Sequence, residues 1–304
     1  MKSVLITGVA GFIGSNLLDL LIEETDCEIT GIDNLSTGNE SNIVHHFEEA
    51  RFKFINDDLE NITSVKQFDT IFHLAALPRI QPSFELISEH IHANLNIGVQ
   101  LIEIMIKESH FPKLVYSGSS AIYGTPLHTP TTEEEKIECL SPYAFQKYEF
   151  ERYLELISTR FPLNYVTLRY FNPYGPRSFN PSNSFNAYSS VVGIFLNQQK
   201  LGKHLQVTGD GNQKRDFIHV KDVARANLAA ANTEKGINDC FNVGFGETIS
   251  INDLAKLISP NIVHIEKREG ESEITHADIG KIHSILNWRP LENIENYISK
   301  ELQS

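Results

Sequence analysis

The sequence predicts an α/β chain built on an open, doubly wound parallel sheet, followed by a smaller, mixed C-terminal domain. Three observations predict it. A strand-length apolar run, Ser3 to Thr7, breaks at a glycine turn before a segment of helical period. Strand-like and helix-like segments then alternate as far as Ser117, the rhythm of βαβ units. Beyond about residue 172 the rhythm weakens while apolar residues persist, so this part reads as a second packed unit and not as a linker. The expected division is 1–172, with later segments returning to it, and 173–304.

The first unit begins with Ser3-Val4-Leu5-Ile6-Thr7, followed by Gly8-Val9-Ala10-Gly11-Phe12-Ile13-Gly14 and a helix through Leu17, Leu18 and Leu21. Strand, glycine turn and helix is the order that a phosphate cradle requires. Glycines allow a tight turn and close backbone approach, so a pyrophosphate can sit on the N–H groups of the helix N-terminus. The spacing is Gly-x-x-Gly-x-x-Gly, a variant of the commoner Gly-x-Gly-x-x-Gly. The second strand, Glu28 to Ile32, ends in Asp33, about 20 residues past the last glycine, where a ribose-binding carboxylate belongs. Between Lys2 and Arg51 the chain has no Lys or Arg. A 2′-phosphate would meet Asp33 and no cation from this stretch, which favours NAD over NADP.

Next come strand-like Phe52 to Ile55 and Thr70 to Leu74, an amphipathic stretch from about Glu85 to Glu108, and strand-like Lys113 to Ser117. Asp57-Asp58-Leu59 and Ala75-Ala76 fall at strand C-termini, where a doubly wound sheet forms its binding crevice. Ser117 leads into the hydroxyl-rich turn Gly118-Ser119-Ser120-Ala121-Ile122-Tyr123-Gly124, where a serine could hydrogen-bond a reacting hydroxyl or ketone. Ser141-Pro142 then opens a helix with Tyr143 and Lys147 four residues apart, on one face. An ammonium near the phenol would lower its pKa from about 10 and make Tyr143 a general base.

Composition narrows the function classes. A hydrophobic fraction of 41% and a charged fraction of 21% are those of a globular chain. The net charge of −13 argues against a general nucleic-acid or anionic-membrane binder, though a few local arginines would suffice for an anionic small substrate. Cys27, Cys139 and Cys240 lie far apart and form neither a disulfide framework nor a zinc motif. His45-His46 and the His90/His92 pair lack carboxylate or cysteine companions at ligand spacing, so no metal is expected. No signal-peptide pattern and no run approaching the ~20 apolar residues of a membrane span is present, which reads as a cytoplasmic protein.

From the Gly8 loop to Trp288-Arg289-Pro290, these motifs together resemble an extended short-chain dehydrogenase/reductase of the NAD-dependent nucleotide-sugar epimerase/dehydratase family. The resemblance implies a Rossmann-type NAD domain and a sugar-nucleotide domain. It makes Ser119, Tyr143 and Lys147 the catalytic set. Around the cofactor it places Gly8, Gly11, Phe12, Ile13 and Gly14 at the glycine loop, then Asp33, Asn34, Ser36, Thr37 and Gly38 after the second strand. Asp58 and Leu59, Leu74, Ala75 and Ala76, Asn94, Ser117 and Tyr170 complete that set, with Tyr143 and Lys147. Arg169-Tyr170-Phe171-Asn172-Pro173-Tyr174-Gly175-Pro176-Arg177 resembles the segment that meets cofactor and sugar nucleotide, with Asn172 as substrate contact. Gly209-Asp210-Gly211 through Arg215 to Val220, and Arg268-Glu269-Gly270-Glu271, resemble loops whose arginines hold a nucleotide diphosphate. Thr275 matches a position beside the sugar's C2 substituent, where threonine leaves room for an acetamido group. Gln146 stands where the family keeps a small residue, which is expected to be tolerated because only Tyr143 and Lys147 must face the site.

For the reaction, the resemblance implies 4-epimerisation of a UDP-hexose, either the glucose/galactose pair or its N-acetylated counterpart. A 4,6-dehydratase is the alternative within the family and requires an Asp-Glu pair directly after the catalytic Ser/Thr. Ser120 and Ala121 occupy those places and cannot serve as acid and base. Decarboxylation is disfavoured because the form resembling it keeps a Glu where Ala121 stands. A catalytically silent NAD-binding sensor or scaffold is the reading from another class, and the intact Ser119, Tyr143 and Lys147 speak against it. Members of the family commonly pair as dimers through the helices that here begin near Glu85 and Ser141.

Overall fold

The computed structural model describes residues 1–179, 189–267 and 272–303. Its first half is the alternating series β1 (Ser3–Thr7), α1 (Phe12–Glu24), β2 (Glu28–Asp33), β3 (Phe52–Asn56), β4 (Thr70–His73), α2 (Ile80–Glu85), α3 (Ile87–Ile91), α4 (Ile97–Glu108), β5 (Lys113–Ser119), α5 (Pro142–Ser158) and β6 (Tyr165–Tyr170). The second half contributes β7 (Pro173–Tyr174), α6 (Val191–Lys200), β8 (Leu205–Thr208), β9 (Lys214–Arg215), β10 (Ile218–His219), α7 (Val220–Asn232), β11 (Asp239–Val243) and β12 (Ile249–Ser250). After them come α8 (Ile251–Ile258), β13 (Ile262–Ile265), β14 (Ile274–Thr275), α9 (Gly280–Leu286) and α10 (Ile294–Glu301). No described helix is long and apolar enough to cross a membrane.

Seven strands form one sheet in the order β11-β6-β5-β4-β1-β2-β3, and every pairing in it is parallel. Parallel strands need cover on both faces, which explains why β1 reads as an unbroken apolar run. Leu17, Leu18 and Leu21 of α1 pack with Val223, Ala226 and Ala230 of α7 in the core on one face. Leu101, Ile102 and Met105 of α4 meet Phe150 and Leu154 of α5 in the core on the other. Each such leucine contributes roughly 1.5–3 kcal/mol by leaving water. The chain reverses its direction of winding between β1 and β4, and a crevice opens where their C-terminal loops part.

The amphipathic stretch is broken at Leu86, and from Ile87 to Glu108 it runs on as one helix in which a π turn at His92–Asn96 places Asn94 inside. Segments after residue 172 return to the sheet: β11 supplies its edge strand and α7 packs on α1. Elements α6, β8, α8 and α10 enclose a separate core that includes Val192, Phe195, Leu205, Val207, Phe217 and Leu254. Within this part β14 pairs with β9 in parallel, setting Thr275 opposite Arg215.

Candidate active site

The crevice at the winding reversal deepens into a cleft of about 1280 Å³ shared by both parts of the chain. Its nucleotide end is the glycine loop. Gly8 has φ +73° and its N–H donates to the Ile32 carbonyl at 2.8 Å. A Cβ on Gly8 would lie 2.8 Å from the Ala75 nitrogen, and one on Gly14 would lie 2.1 Å from the Gly8 oxygen. Only glycine closes this turn, and the closed turn leaves Gly11, Phe12, Ile13 and the α1 N-terminus lining the cleft. That is a cradle for a pyrophosphate.

Asp33 holds the cradle in shape. One carboxylate oxygen accepts from Ala10 N at 2.9 Å and the other from Leu35 N at 2.8 Å, joining the loops after β1 and β2. Burial pushes its pKa up, and those backbone N–H groups oppose the push. Asn34 donates to Asp58 at 2.6 Å, and Ser36, Thr37 and Leu59 line the same end. Gly38 does not line the cleft; it lies against the Asp33 carboxylate, where a Cβ would approach Oδ1 to 2.9 Å. One cation arrives from outside the stretch before Arg51: Arg177 lines this end, paired with Asp19 and donating to the Asn42 carbonyl at 3.2 Å.

The floor is pinned from β1. Thr7 Oγ1 accepts from Leu74 N and Ala75 N, each at 3.1 Å, which fixes the loop after β4, with Leu74, Ala75 and Ala76 facing the cleft. Asn94, expected beside the cofactor, does not line the cleft. It is 2% exposed, its side chain clamps Leu77 N–H and C=O, and its amide donates to Gln146 Oε1 at 2.9 Å. Gln146 is therefore a buried strut between α5 and the π turn. Its length does the bracing that a small residue could not.

The proposed catalytic side chains converge. Ser141 caps α5 by accepting from Ala144 N at 3.1 Å, with Pro142 at its first position, so the helix starts one residue before Tyr143. Ser83 Oγ accepts the Tyr143 N–H at 3.1 Å. Ser119 lies at the end of β5 and is hydrogen-bonded to the Tyr143 phenol. Burial pushes the Tyr143 pKa up, while Ser119 and the nearby Arg79 charge pull it down. Lys147 Nζ donates to the Ser117 carbonyl at 2.9 Å, lies 4.9 Å over the Tyr116 ring, and burial pushes its pKa down to about 7. Ser117 and Tyr170 complete this wall of the cleft.

At the far end Asn172, with φ +38°, donates to the Asp216 carbonyl and to Thr275 Oγ1, both at 2.8 Å. Arg215 and Thr275 also line the cleft, whereas Arg268 lies outside the described residues. The sequence reading missed Asp216 as a brace. Its buried carboxylate accepts from Phe245 N at 2.7 Å and from Gly246 N and Ala277 N at 3.0 Å, tying together the segments that bear Arg215 and Thr275. Arg79 was missed too, because it follows no motif; it lines the cleft near Tyr143 with φ +93°. The reading of His45-His46 is corrected as well: both Nε2 atoms meet Asp19 Oδ1, at 3.1 and 2.8 Å, while Arg177 pairs with the other oxygen.

Residues 4–244 match the NAD dependent epimerase/dehydratase family. A UDP-glucose 4-epimerase of Thermotoga maritima, solved with UDP-glucose, is 33% identical with a TM-score of 0.89, covering 99% of this chain and 98% of that one. A UDP-N-acetylglucosamine 4-epimerase of Methanobrevibacter ruminantium, solved with UDP-N-acetylmuramic acid, is also 33% identical with a TM-score of 0.89, over 99% and 97%. A UDP-glucuronic acid 4-epimerase of Bacillus cereus, solved with UDP-glucuronic acid and NAD, is 29% identical with a TM-score of 0.90, over 99% and 98%. With its crevice at the winding reversal and its glycine cradle, this chain belongs to the NAD dependent epimerase/dehydratase family.

Proposed function

We propose that the protein is a cytoplasmic, NAD-dependent 4-epimerase of a UDP-linked hexose. The observation that carries the reading is the convergence of Ser119, Tyr143 and Lys147 on one wall of a cleft whose other end is a pyrophosphate cradle. The residues present fit NAD: the absent Cβ atoms of Gly8 and Gly14 leave the backbone exposed to a diphosphate, and Asp33 stands ready for a ribose diol. When bound, NAD supplies a hydride acceptor that gives the hydride back within the same cycle. The chain's own residues do the rest. Tyr143 takes the C4 hydroxyl proton and later returns it, Ser119 orients the reacting oxygen, and the Lys147 charge favours the phenolate once substrate and cofactor fill the wall.

Asn172, Arg215 and Thr275 are the proposed contacts at the sugar-nucleotide end, with Arg268 proposed on resemblance alone. Ser120 and Ala121 both line the cleft beside Ser119 and offer no carboxyl group, which supports epimerisation over 4,6-dehydration. The NMR spectra of UDP-glucose, UDP-N-acetylglucosamine, UDP-glucuronate and dTDP-glucose after incubation with the protein test the reading. A C4 epimer is expected from at least one UDP-sugar, and Tyr143→Phe should lower that turnover by about two orders of magnitude while leaving the fold intact. A 4-keto-6-deoxy product, or turnover by Tyr143→Phe near that of the wild type, would contradict it.

The assembly proposed is a C2 dimer through α2 to α4 and α5. Phe84, Leu86, Ile87 and Ile91 of the first segment and Phe145, Tyr153 and Leu156 of α5 are exposed. Sedimentation at micromolar concentration should show a dimer.

A further inference from the structure

Helix α5 bears a third ionisable group in line with Tyr143 and Lys147. Glu151 follows Lys147 by four residues, one turn on, and is 6% exposed. Its carboxylate accepts from Arg169 of β6, whose Nε lies 3.3 and 3.2 Å from the two oxygens and whose Nη2 lies 2.8 Å from Oε2. Glu151 Oε1 is 2.9 Å from where a Cβ would stand on Gly118. The carboxylate is thus tucked under β5 between Ser117, the acceptor of Lys147, and Ser119, the partner of Tyr143. Arg169 is fixed in turn, donating from Nη1 to the Tyr123 hydroxyl at 2.8 Å and the Glu133 carbonyl at 3.2 Å. Tyr123 donates onward to Asn242 Oδ1 at 2.7 Å. Desolvating two such charges costs several kcal/mol per ion, and apolar residues of equal volume often do as well. Stability alone is a weak reason for the pair.

We propose that Glu151 is a positioning residue of the epimerase reaction: locked on Arg169 beneath Gly118 and one helical turn from Lys147, its carboxylate keeps the Lys147 ammonium charged beside the cleft. The inference rests on the epimerase reading. The groups facing Lys147 are Tyr143 and Glu151 on its own helix, His73 on β4, the Tyr116 ring and Ser117 carbonyl on β5, and Arg169 on β6 through Glu151. His73 is buried and neutral, its pKa pushed down to about 3 by burial, so it adds no countercharge. Tyr116 and Tyr143 are phenols that burial keeps protonated. Burial pushes the Glu151 pKa up and the Arg169 guanidinium pulls it back. Held as a carboxylate by that pairing, Glu151 is the anion that opposes the desolvation of Lys147, and with that lysine held down to about 7 its charged fraction near neutrality depends steeply on the opposition.

The test is Glu151→Gln, which keeps the shape and removes the charge. A lost anion destabilises the ammonium, so the Lys147 pKa must fall. The Lys147 midpoint, followed in the cofactor-free protein by the 13Cε resonance that Lys147→Met deletes, should drop by about one unit. The alkaline limb of kcat should move down with it, lowering kcat at pH 8 by about tenfold while KM stays within about twofold. Since Glu151→Gln strands the Arg169 guanidinium, Glu151→Gln/Arg169→Met is made beside it and should show a midpoint and limb displaced in the same direction, by less. Unchanged midpoints and limbs in a folded variant would overturn the proposal. So would a wild-type Lys147 titrating near 10, or loss of folding in both variants, which would assign the pair a structural role only. A wild type that turns over no UDP-sugar would refute the epimerase reading, and the 13Cε titration would still decide whether Glu151 sets the charge of Lys147.

Discussion

The Lys147 ammonium donates to the Ser117 carbonyl at 2.9 Å, although the Tyr143 phenol lies one turn away on the same helix. A lysine 2% exposed, with its pKa pushed down to about 7 by burial, is a cost to the folded chain. The unfolded chain holds that proton up to about pH 10.4 and the folded chain releases it near 7. Stability therefore rises with pH between those values, and below the window the cost is full. Lys147→Met should abolish turnover and raise the melting temperature at pH 7 by about 2–5 °C. The gain should shrink toward pH 10. Melting curves at pH 7, 8.5 and 10 check it, and a destabilised Met variant at pH 7 would contradict it.

Asp33 ties two loops by accepting from Ala10 N and Leu35 N, so its carboxylate is fixed before any nucleotide arrives. A 2′-phosphate would be brought against that fixed charge. Arg177, the cation that reaches this end among the described residues, is already paired with Asp19. The protein should bind NAD at least tenfold more tightly than NADP, an estimate of about 1.4 kcal/mol for one repelled charge. Asp33→Asn should narrow the gap. Equal titration midpoints for the two nucleotides in the wild type would refute this account of β2.

His73 sits inside the sheet, stacked 5.9 Å from Tyr116 and edge-on 5.6 Å from Phe150, with Nδ1 3.0 Å from Thr7 Oγ1. Burial, helped by the Lys147 charge, pushes its pKa down to about 3. The unfolded chain takes up the proton near pH 6.5 and the folded chain does not, so stability is whole above that value and is lost as pH falls toward 3. The slope from this group approaches about 1.4 kcal/mol per pH unit. Urea unfolding at pH 6.5, 5.5 and 4.5 should show His73→Phe losing less stability than the wild type across that span. Parallel losses would contradict it.

The sheet, the glycine loop and the shared helical face of Tyr143 and Lys147 were legible in the sequence because each rests on local pattern: an apolar run, a glycine spacing, two side chains four residues apart. What the sequence hid depends on distance along the chain. Asn94 reads as a cofactor neighbour until the π turn at His92–Asn96 rotates it onto Leu77 and Gln146. His45-His46 gain Asp19 only when α1 folds back beside the loop after β2. Lys147 is four residues from Tyr143 as expected, yet its nearest acceptor comes from β5, some thirty residues away. Helical spacing sets which side chains share a face. It does not say which neighbour on the sheet competes for them.

Thr275 is where structure sharpens an expectation about substrate size. It lines the end of the cleft proposed for the sugar, on β14 opposite Arg215 on β9, and its Oγ1 accepts from Asn172 Nδ2 at 2.8 Å. The side chain thus orients Asn172. Thr275→Tyr should fill the room, lowering turnover of UDP-N-acetylglucosamine about tenfold more than that of UDP-glucose, since an acetamido group forced from its partners loses roughly 1–3 kcal/mol. The same substitution also breaks the Asn172 bond, so Thr275→Val serves as control. Valine removes the hydroxyl without adding bulk and should slow both substrates alike. An equal effect of Thr275→Tyr on acetylated and unacetylated sugars would show that Thr275 acts through Asn172 alone and does not set the size of the C2 pocket.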